Sequence, residues 1–272
     1  MVLSVNTNSG ALTALQYLSN TNAQLQTTEN AINSGMKVAT AKDNGAIYAI
    51  AQNMRGEVAG YQAVTDSLNR GTSVVDTALS AAQSISDLLI QMKQNALSAA
   101  DSSLDQTSRQ SLANDFSAMS AQILTIVNNA SFNGVNLVNG KTTRISALTS
   151  ASDASQRITV LAQTLTVSKL GYGTTYSSQT TASTMVGKIS AAMTTVNSAL
   201  SALSAGSKKF SIQSGFVSKL SDSLTIGIGN LVDANMAQES AMLTSLQTKQ
   251  QLGVQALSIA NQAPQAILSL FK

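Results

Sequence analysis

The two ends of this chain carry almost no charge. The first charged side chain is Glu29, and after Glu239 only Lys249 and Lys272 follow. Chain ends normally fray into water and carry solvating charge. Here the stretch from Leu252 to the end places Leu252, Val254, Leu257, Ile259, Ile267, Leu268, Leu270 and Phe271 on nearly every face of a helix. A helix that is apolar all round has to be covered by something. Ordering such a tail costs more conformational entropy than its own few contacts return, so alone it stays unfolded. The economical cover is further copies of the same chain, which makes the sequence read as a polymer subunit.

Composition narrows the fold class. The chain has 272 residues, 43% of them hydrophobic but only 4% aromatic, and a single proline, Pro264. Ala, Leu, Ile and Val dominate the apolar set, which suits long, closely packed helices, and almost nothing forbids them. Only 11% of residues are charged and the net charge is +3, too diffuse for a nucleic-acid footprint. Cys and His are both absent, which removes disulfides, thiol chemistry, His-based triads and metal sites built on these residues. Asp and Glu are scattered singly. No enzyme activity, cofactor or metal is expected. A charged n-region followed by an apolar h-region is missing, so no cleaved signal peptide is expected, and no apolar run is long enough to span a membrane.

The periodicity predicts a mainly α protein: a discontinuous bundle of long helices with a coiled-coil terminal pair and a small β-hairpin element. Ala11, Leu15, Leu18, Leu25 and Ile32 recur at coiled-coil steps. A break at Asn33-Ser34-Gly35 precedes a helix over 44–100, with Asp43 as its N-cap. Ser103-Leu104-Asp105-Gln106 fits a capping box opening a third helix to about Asn128. Phe132-Asn133-Gly134 is a turn signal. Residues 141–185 turn Ser/Thr-rich, with β-branched runs around Ile158, Val160, Leu165 and Val167 that predict one or two outward-facing hairpins, and Gly171-Tyr172-Gly173 reads as a surface turn. A helix resumes over 184–226, Gly227-Ile228-Gly229 reads as a hinge, and a last helix from about Leu231 bends at Pro264. Antiparallel pairing of the two ends satisfies their stripes, so three regions are expected: 1–40 with 230–272, 41–140 with 186–229, and 141–185 at the surface.

Several pieces in order make the chain resemble bacterial flagellin over nearly its whole length. They are Val5-Asn6-Thr7-Asn8-Ser9, then Ser34-Gly35 with Ala41-Lys42-Asp43-Asn44-Gly45 and Ala49-Ile50-Ala51. Phe132-Asn133-Gly134-Val135 follows, and the tail has Ala260-Asn261-Gln262-Ala263-Pro264 with Leu268-Ser269-Leu270. With only 141–185 in the middle, the resemblance is to a short, core-only member. It implies a structural subunit of the flagellar filament, exported unfolded and folded at the filament tip, outside the cell. Implied partners are the chain itself and other flagellins, an export chaperone, the filament cap and the hook junction proteins. A hook–filament junction protein is the nearer alternative. A secreted, membrane-active helical effector is the more distant one, though the ends lack the basic face and aromatic anchors it would want.

On this reading Leu15, Leu18, Leu25, Ile32, Leu252, Leu257, Ile259, Ile267, Leu270 and Phe271 are the subunit-packing residues. Asp43, Arg55 and Arg70 are candidates for polar contacts between subunits. Many flagellins are bound by Toll-like receptor 5 through an Arg-Glu-Leu stretch and an acid on the next helix. The matching positions here are Gln91, Lys93 and Asn95, with Asp115 as the acid. Gln91 lacks the planar five-donor fork of arginine and Asn95 lacks an apolar anchor, so weak recognition is expected. The Ser/Thr density of 141–185 would also suit the O-linked sugars some flagellins carry.

Overall fold

The computed structural model describes residues 7–268, with side chains described as far as residue 262. The elements in order are α1 (Ser9–Ser34), α2 (Gly45–Ala99), α3 (Gln106–Asn129), β1 (Arg144–Leu148), β2 (Arg157–Leu161), α4 (Val167–Leu170), α5 (Gln179–Val232) and α6 (Met236–Leu268). They form two compact units, one comprising 1–56 with 223–272 and the other 57–222. Both α2 and α5 therefore run from one unit into the other.

Within 57–222, three helices share a heptad core. On α2 the inward positions Leu68, Val75, Ala78, Ala82, Ile85, Leu89, Met92, Ala96 and Ala99 fall at steps of three, four and seven. On α3 they are Arg109, Ala113, Phe116, Ser120, Ile123 and Val127. On α5 they run Ala182, Met185, Ile189, Ala192, Val196, Ala199, Leu203 and Phe210. Alternating three-four steps keep one stripe facing the neighbours along the whole length. The many alanines let the backbones approach closely. Phe116 and Tyr176 meet edge to face, 5.2 Å between ring centres.

β1 and β2 form one antiparallel hairpin, with Ala147 opposite Ile158 and Ile145 opposite Val160. It lies on the bundle at two glycines. A methyl on Gly206 would stand 2.5 Å from a methyl of Val160, and one on Gly60 would stand 2.7 Å from that of Ala151. The backbone of Leu148 donates to the Ser67 hydroxyl (3.1 Å), fixing the hairpin to α2. Asn136 is buried and ties α3 to the chain that follows. Its amide donates to the Val127 carbonyl (2.8 Å), and its oxygen accepts from Val138 (2.8 Å) and Asn139 (3.0 Å).

Several sequence expectations change here. Of the one or two hairpins expected, one forms, and the Leu165–Val167 run is not a strand: Leu165 is buried in the core and Val167 opens the short helix α4, capped by Thr166. The 141–185 segment is half core, because Ala147, Val160, Leu165, Leu170, Tyr172 and Tyr176 are buried. Gly171-Tyr172-Gly173 does turn, at the left-handed Gly171, but Tyr172 points inward and burial raises its hydroxyl to about 12. The Tyr172 hydroxyl lies toward Ser120 without a well-formed hydrogen bond. Gly227 and Gly229 are not a hinge, since α5 runs through both. A side chain on Gly227 would strike Met54 (2.9 Å), and one on Gly229 would strike Asp233 (2.7 Å). The chain breaks later, at 233–235. α6 spans Pro264.

Two caps sit beside their expected positions. Asn44, not Asp43, caps α2, its oxygen accepting from Ile47 (3.1 Å). Asp43 instead accepts from the backbone of Thr40 (2.8 Å) and Ala39 (3.1 Å). Asp105 caps α3 by accepting from Thr107 (3.1 Å) and Ser108 (3.3 Å), while Ser103 bonds back to Asp101. Hydrogen bonds from Ser108, and then Thr107, hold the Asp105 carboxyl below the ordinary carboxylate range. A depressed folded-state pKa gives a contribution present above the unfolded value, near 4, and lost as pH falls through the folded one. Asp105→Ala is therefore expected to lower the thermal midpoint at neutral pH, and the gap to wild type should close in strong acid. Ser103→Ala should cause the smaller loss at neutral pH. Thermal melts by circular dichroism at both pH values check this.

Candidate assembly surface

In the unit that holds both ends, α1 and α6 lie antiparallel. The inner positions of α1 are Ala11, Ala14, Leu18, Thr21, Leu25, Thr28 and Ile32. Those of α6 are Glu239, Leu243, Leu246, Gln250, Gly253, Leu257 and Ala260. Both sets step by three and four, the signature of a two-stranded seam. Gly253 lets Leu18 approach, since a methyl there would stand 3.2 Å from Leu18 Cδ1. The seam is fastened by side-chain amides: Asn8 donates to the Ala260 carbonyl (2.6 Å) and Gln250 donates to Asn22 (2.8 Å). Asn8 also caps α1, accepting from Ala11 (3.0 Å).

A second contact closes the base of this pair. The connectors 35–44 and 233–235 run side by side, with Lys37 donating to the Val232 carbonyl (2.8 Å) and Ala234 to that of Gly35 (2.9 Å). Gly35 makes this possible by ending α1 in the left-handed conformation, φ 69°. Behind it Val38, Ala51 and Val232 form a small core with Ile47, Tyr48, Ile228 and Leu231.

One seam cannot cover two apolar helices. Leu12 is 62% exposed and Tyr17 69% on α1, while Leu252 is 58% exposed and Ile259 69% on α6. At 100° per residue, Leu12, Leu252 and Ile259 fall roughly opposite the seam. Of the expected packing residues, Leu15 and Leu252 and Ile259 face out, whereas Leu18, Leu25, Ile32 and Leu257 are half-buried positions of the seam itself. Ile267, Leu270 and Phe271 lie outside the described side chains. Leu12, Tyr17 and Met242, also exposed, were missing from the sequence reading, which mixed seam positions with outward ones.

Of the polar candidates, Asp43 and Arg55 have partners within the chain. Asp43 holds the Ala39–Thr40 turn. Arg55 donates to Gln52 (2.9 Å) and reaches the Met36 sulfur (3.8 Å). Arg70 is exposed on α2. Gln91, Asn95 and Asp115 do come together, lining a shallow open groove between α2 and α3 with Gln94, Ser98 and Met119. Lys93 is half-buried on α2 but is not among the residues lining the groove. Asn95 accepts a hydrogen bond from the Tyr176 hydroxyl, and burial together with the Asp115 charge raises that hydroxyl to about 12. Arg109 escaped the sequence reading altogether. Its buried guanidinium donates to the carbonyls of Ala99, Asp101 (3.3 Å) and Leu104 (2.8 Å), closing the end of α2. Among the described residues there is no cluster of metal-binding side chains, and no helix long and apolar enough to cross a membrane.

A model of the bacterial flagellin N-terminal helical region matches residues 5–143, and one of the C-terminal helical region matches 186–271. The chain is 51% identical over 271 residues to flagellin FljM of Caulobacter vibrioides, covering 99% of this chain and 98% of that one. It is 49% identical to flagellin FljK of the same organism, with the same coverage. It is 36% identical to the flagellin of Brucella melitensis over 99% of both chains. The chain belongs to the bacterial flagellin family. It is a structural subunit of the flagellar filament, outside the cell, and the comparisons favour neither a junction protein nor a membrane-active effector. The two matched regions carry the seam and most of the heptad core of this flagellin, and the segment between them holds the hairpin, α4 and the start of α5.

The seam and the outer stripe separate by mutation. The double change Leu252→Ser with Ile259→Ser is expected to shift monomer stability by no more than about 0.5 kcal/mol per site, as for surface positions, and to abolish polymerisation. Leu18→Ala, in the seam, should cost the monomer pair about 1–2 kcal/mol. Chemical denaturation and sedimentation of the polymer measure the two effects independently.

Proposed function

We propose that α1 and α6 form the inner layer of the filament, and that their uncovered apolar faces are its main subunit–subunit surface. The observation that carries this is the outer stripe of Leu12, Leu15, Leu252 and Ile259, which nothing among the described residues covers. Exposed apolar side chains ranged along both helices are a standing liability in a lone monomer and a source of cohesion in a polymer. The near absence of charge lets these helices pack without burying ions. Asp43 and Arg70 then serve at most as secondary polar contacts. The 57–222 unit folds by itself around its own core. The chain is exported unfolded, with a chaperone covering the C-terminal helix, and folds at the tip beneath the cap. Its hydroxyl-rich hairpin region accepts O-linked sugars.

Mixing monomer with short filament fragments tests the polymer role. Electron microscopy should show seeds growing to micrometre rods at the expense of monomer. Growth that halts after one or a few layers would contradict it.

Receptor recognition follows from the groove of Gln91, Asn95 and Asp115. Gln91 offers no cation, and Asn95 is engaged by Tyr176 instead of projecting an apolar anchor. Toll-like receptor 5 reporter cells should respond to this monomer more weakly than to a flagellin with Arg-Glu-Leu. Gln91→Arg should raise the response. Asn95→Leu also breaks the Tyr176 bond, so it should raise it only where the fold survives.

A further inference from the structure

Three Asn-Gly pairs occur in the chain: Asn44-Gly45, Asn133-Gly134 and Asn139-Gly140. Such pairs are chemically labile, because glycine presents no Cβ to hinder attack of its own amide nitrogen on the preceding side chain. The fold treats the three differently. Asn44 is locked as the cap of α2: its side-chain oxygen accepts from Ile47 (3.1 Å) and its carbonyl from Tyr48 (2.9 Å). Asn139 is half-buried and accepts from Lys141 (2.9 Å). Gly140 beside it is crowded, since a methyl there would stand 3.1 Å from Thr164. Asn133 and Gly134 are both exposed at the tip of a two-residue turn, with φ values of 49° and 78°. The turn is closed outside the pair, by Phe132 and Val135 donating to each other's carbonyls at 3.0 Å. Among the described residues neither the Asn133 side chain nor the Gly134 amide has a hydrogen-bond partner.

We propose that Asn133 is a site of spontaneous covalent modification, converting to isoaspartate and aspartate in the folded protein. The Gly134 nitrogen loses its proton and bonds to Asn133 Cγ, and the side-chain nitrogen leaves as ammonia. The resulting succinimide takes up water and opens at either carbonyl. Water enters, ammonia leaves, and nothing is oxidised or reduced. Opening at the main-chain carbonyl leaves an extra methylene in the backbone between Phe132 and Val135, and either product adds a carboxylate. The turn is the link between α3 and the buried Asn136 anchor, so the change falls at a junction that the fold otherwise fixes.

The test ages purified full-length monomer at mildly alkaline pH and maps peptides by mass spectrometry, with chromatographic separation of the isoaspartyl forms. The locked pairs must first open locally, so Asn133 should convert at least about tenfold faster than Asn44 or Asn139. The same chain aged in denaturant should lose this ranking, and Asn133→Gly should remove the dominant product. Preferential conversion at Asn44 or Asn139 in the folded chain would overturn the proposal. An identical ranking in denaturant would also overturn it, because the fold would then not be the cause.

Discussion

A helix covers only one stripe of its neighbour, and the structure turns on that limit. α1 and α6 each carry more apolar surface than their shared seam can bury. The seam takes Leu18, Leu25, Leu246 and Leu257, and it is narrow because it is a strict heptad stripe. What remains, on the far side of both helices, has no cover among the described residues. We propose that the filament is the arrangement in which that surface becomes interior. The 57–222 unit shows the opposite solution. There three helices and a hairpin surround one another, and Phe116, Ile123, Leu203 and Phe210 are fully buried.

The two units use polar groups differently. The terminal pair is fastened by Asn8, Asn22 and Gln250, neutral groups that can be buried on assembly at far lower cost than ions. Serine and threonine hydroxyls along the helices bond back to their own i−4 carbonyls, as at Thr13, Thr21, Thr27, Thr244 and Thr248. They keep an uncharged helix soluble without leaving unsatisfied donors once neighbours close over them. In the larger unit a buried cation is accepted once, at Arg109, where several carbonyls meet it.

The helical plan was legible from periodicity because heptad steps survive along every long helix. The break at Gly35 and the turn at Asn133-Gly134 were legible because both need a left-handed backbone. The caps at Asn44 and Asp105 were missed by one or two places. Runs such as Lys42-Asp43-Asn44 and Ser102-Ser103-Leu104-Asp105 offer several acceptors for the same amides, and only geometry chooses among them. Gly227 and Gly229 looked like a break because glycine lowers helix propensity. Their role is close approach, to Met54 and Asp233, and that depends on residues far along the chain or on a side chain's direction. Arg109 and Asn136 left no pattern for the same reason: their partners are backbone carbonyls and amides. On α1 and α6 the sequence reading merged seam positions such as Leu18 and Leu257 with outward ones such as Leu252 and Ile259.

Hydrogen exchange, followed on the monomer and on the assembled polymer, tests the central claim most directly. If the outer faces of α1 and α6 are the packing surface, amides across Ser9–Ser34 and Met236–Leu268 should exchange at least about a hundredfold more slowly in the polymer, with smaller changes in 57–222. Equal protection of the two helices in both states would contradict the account.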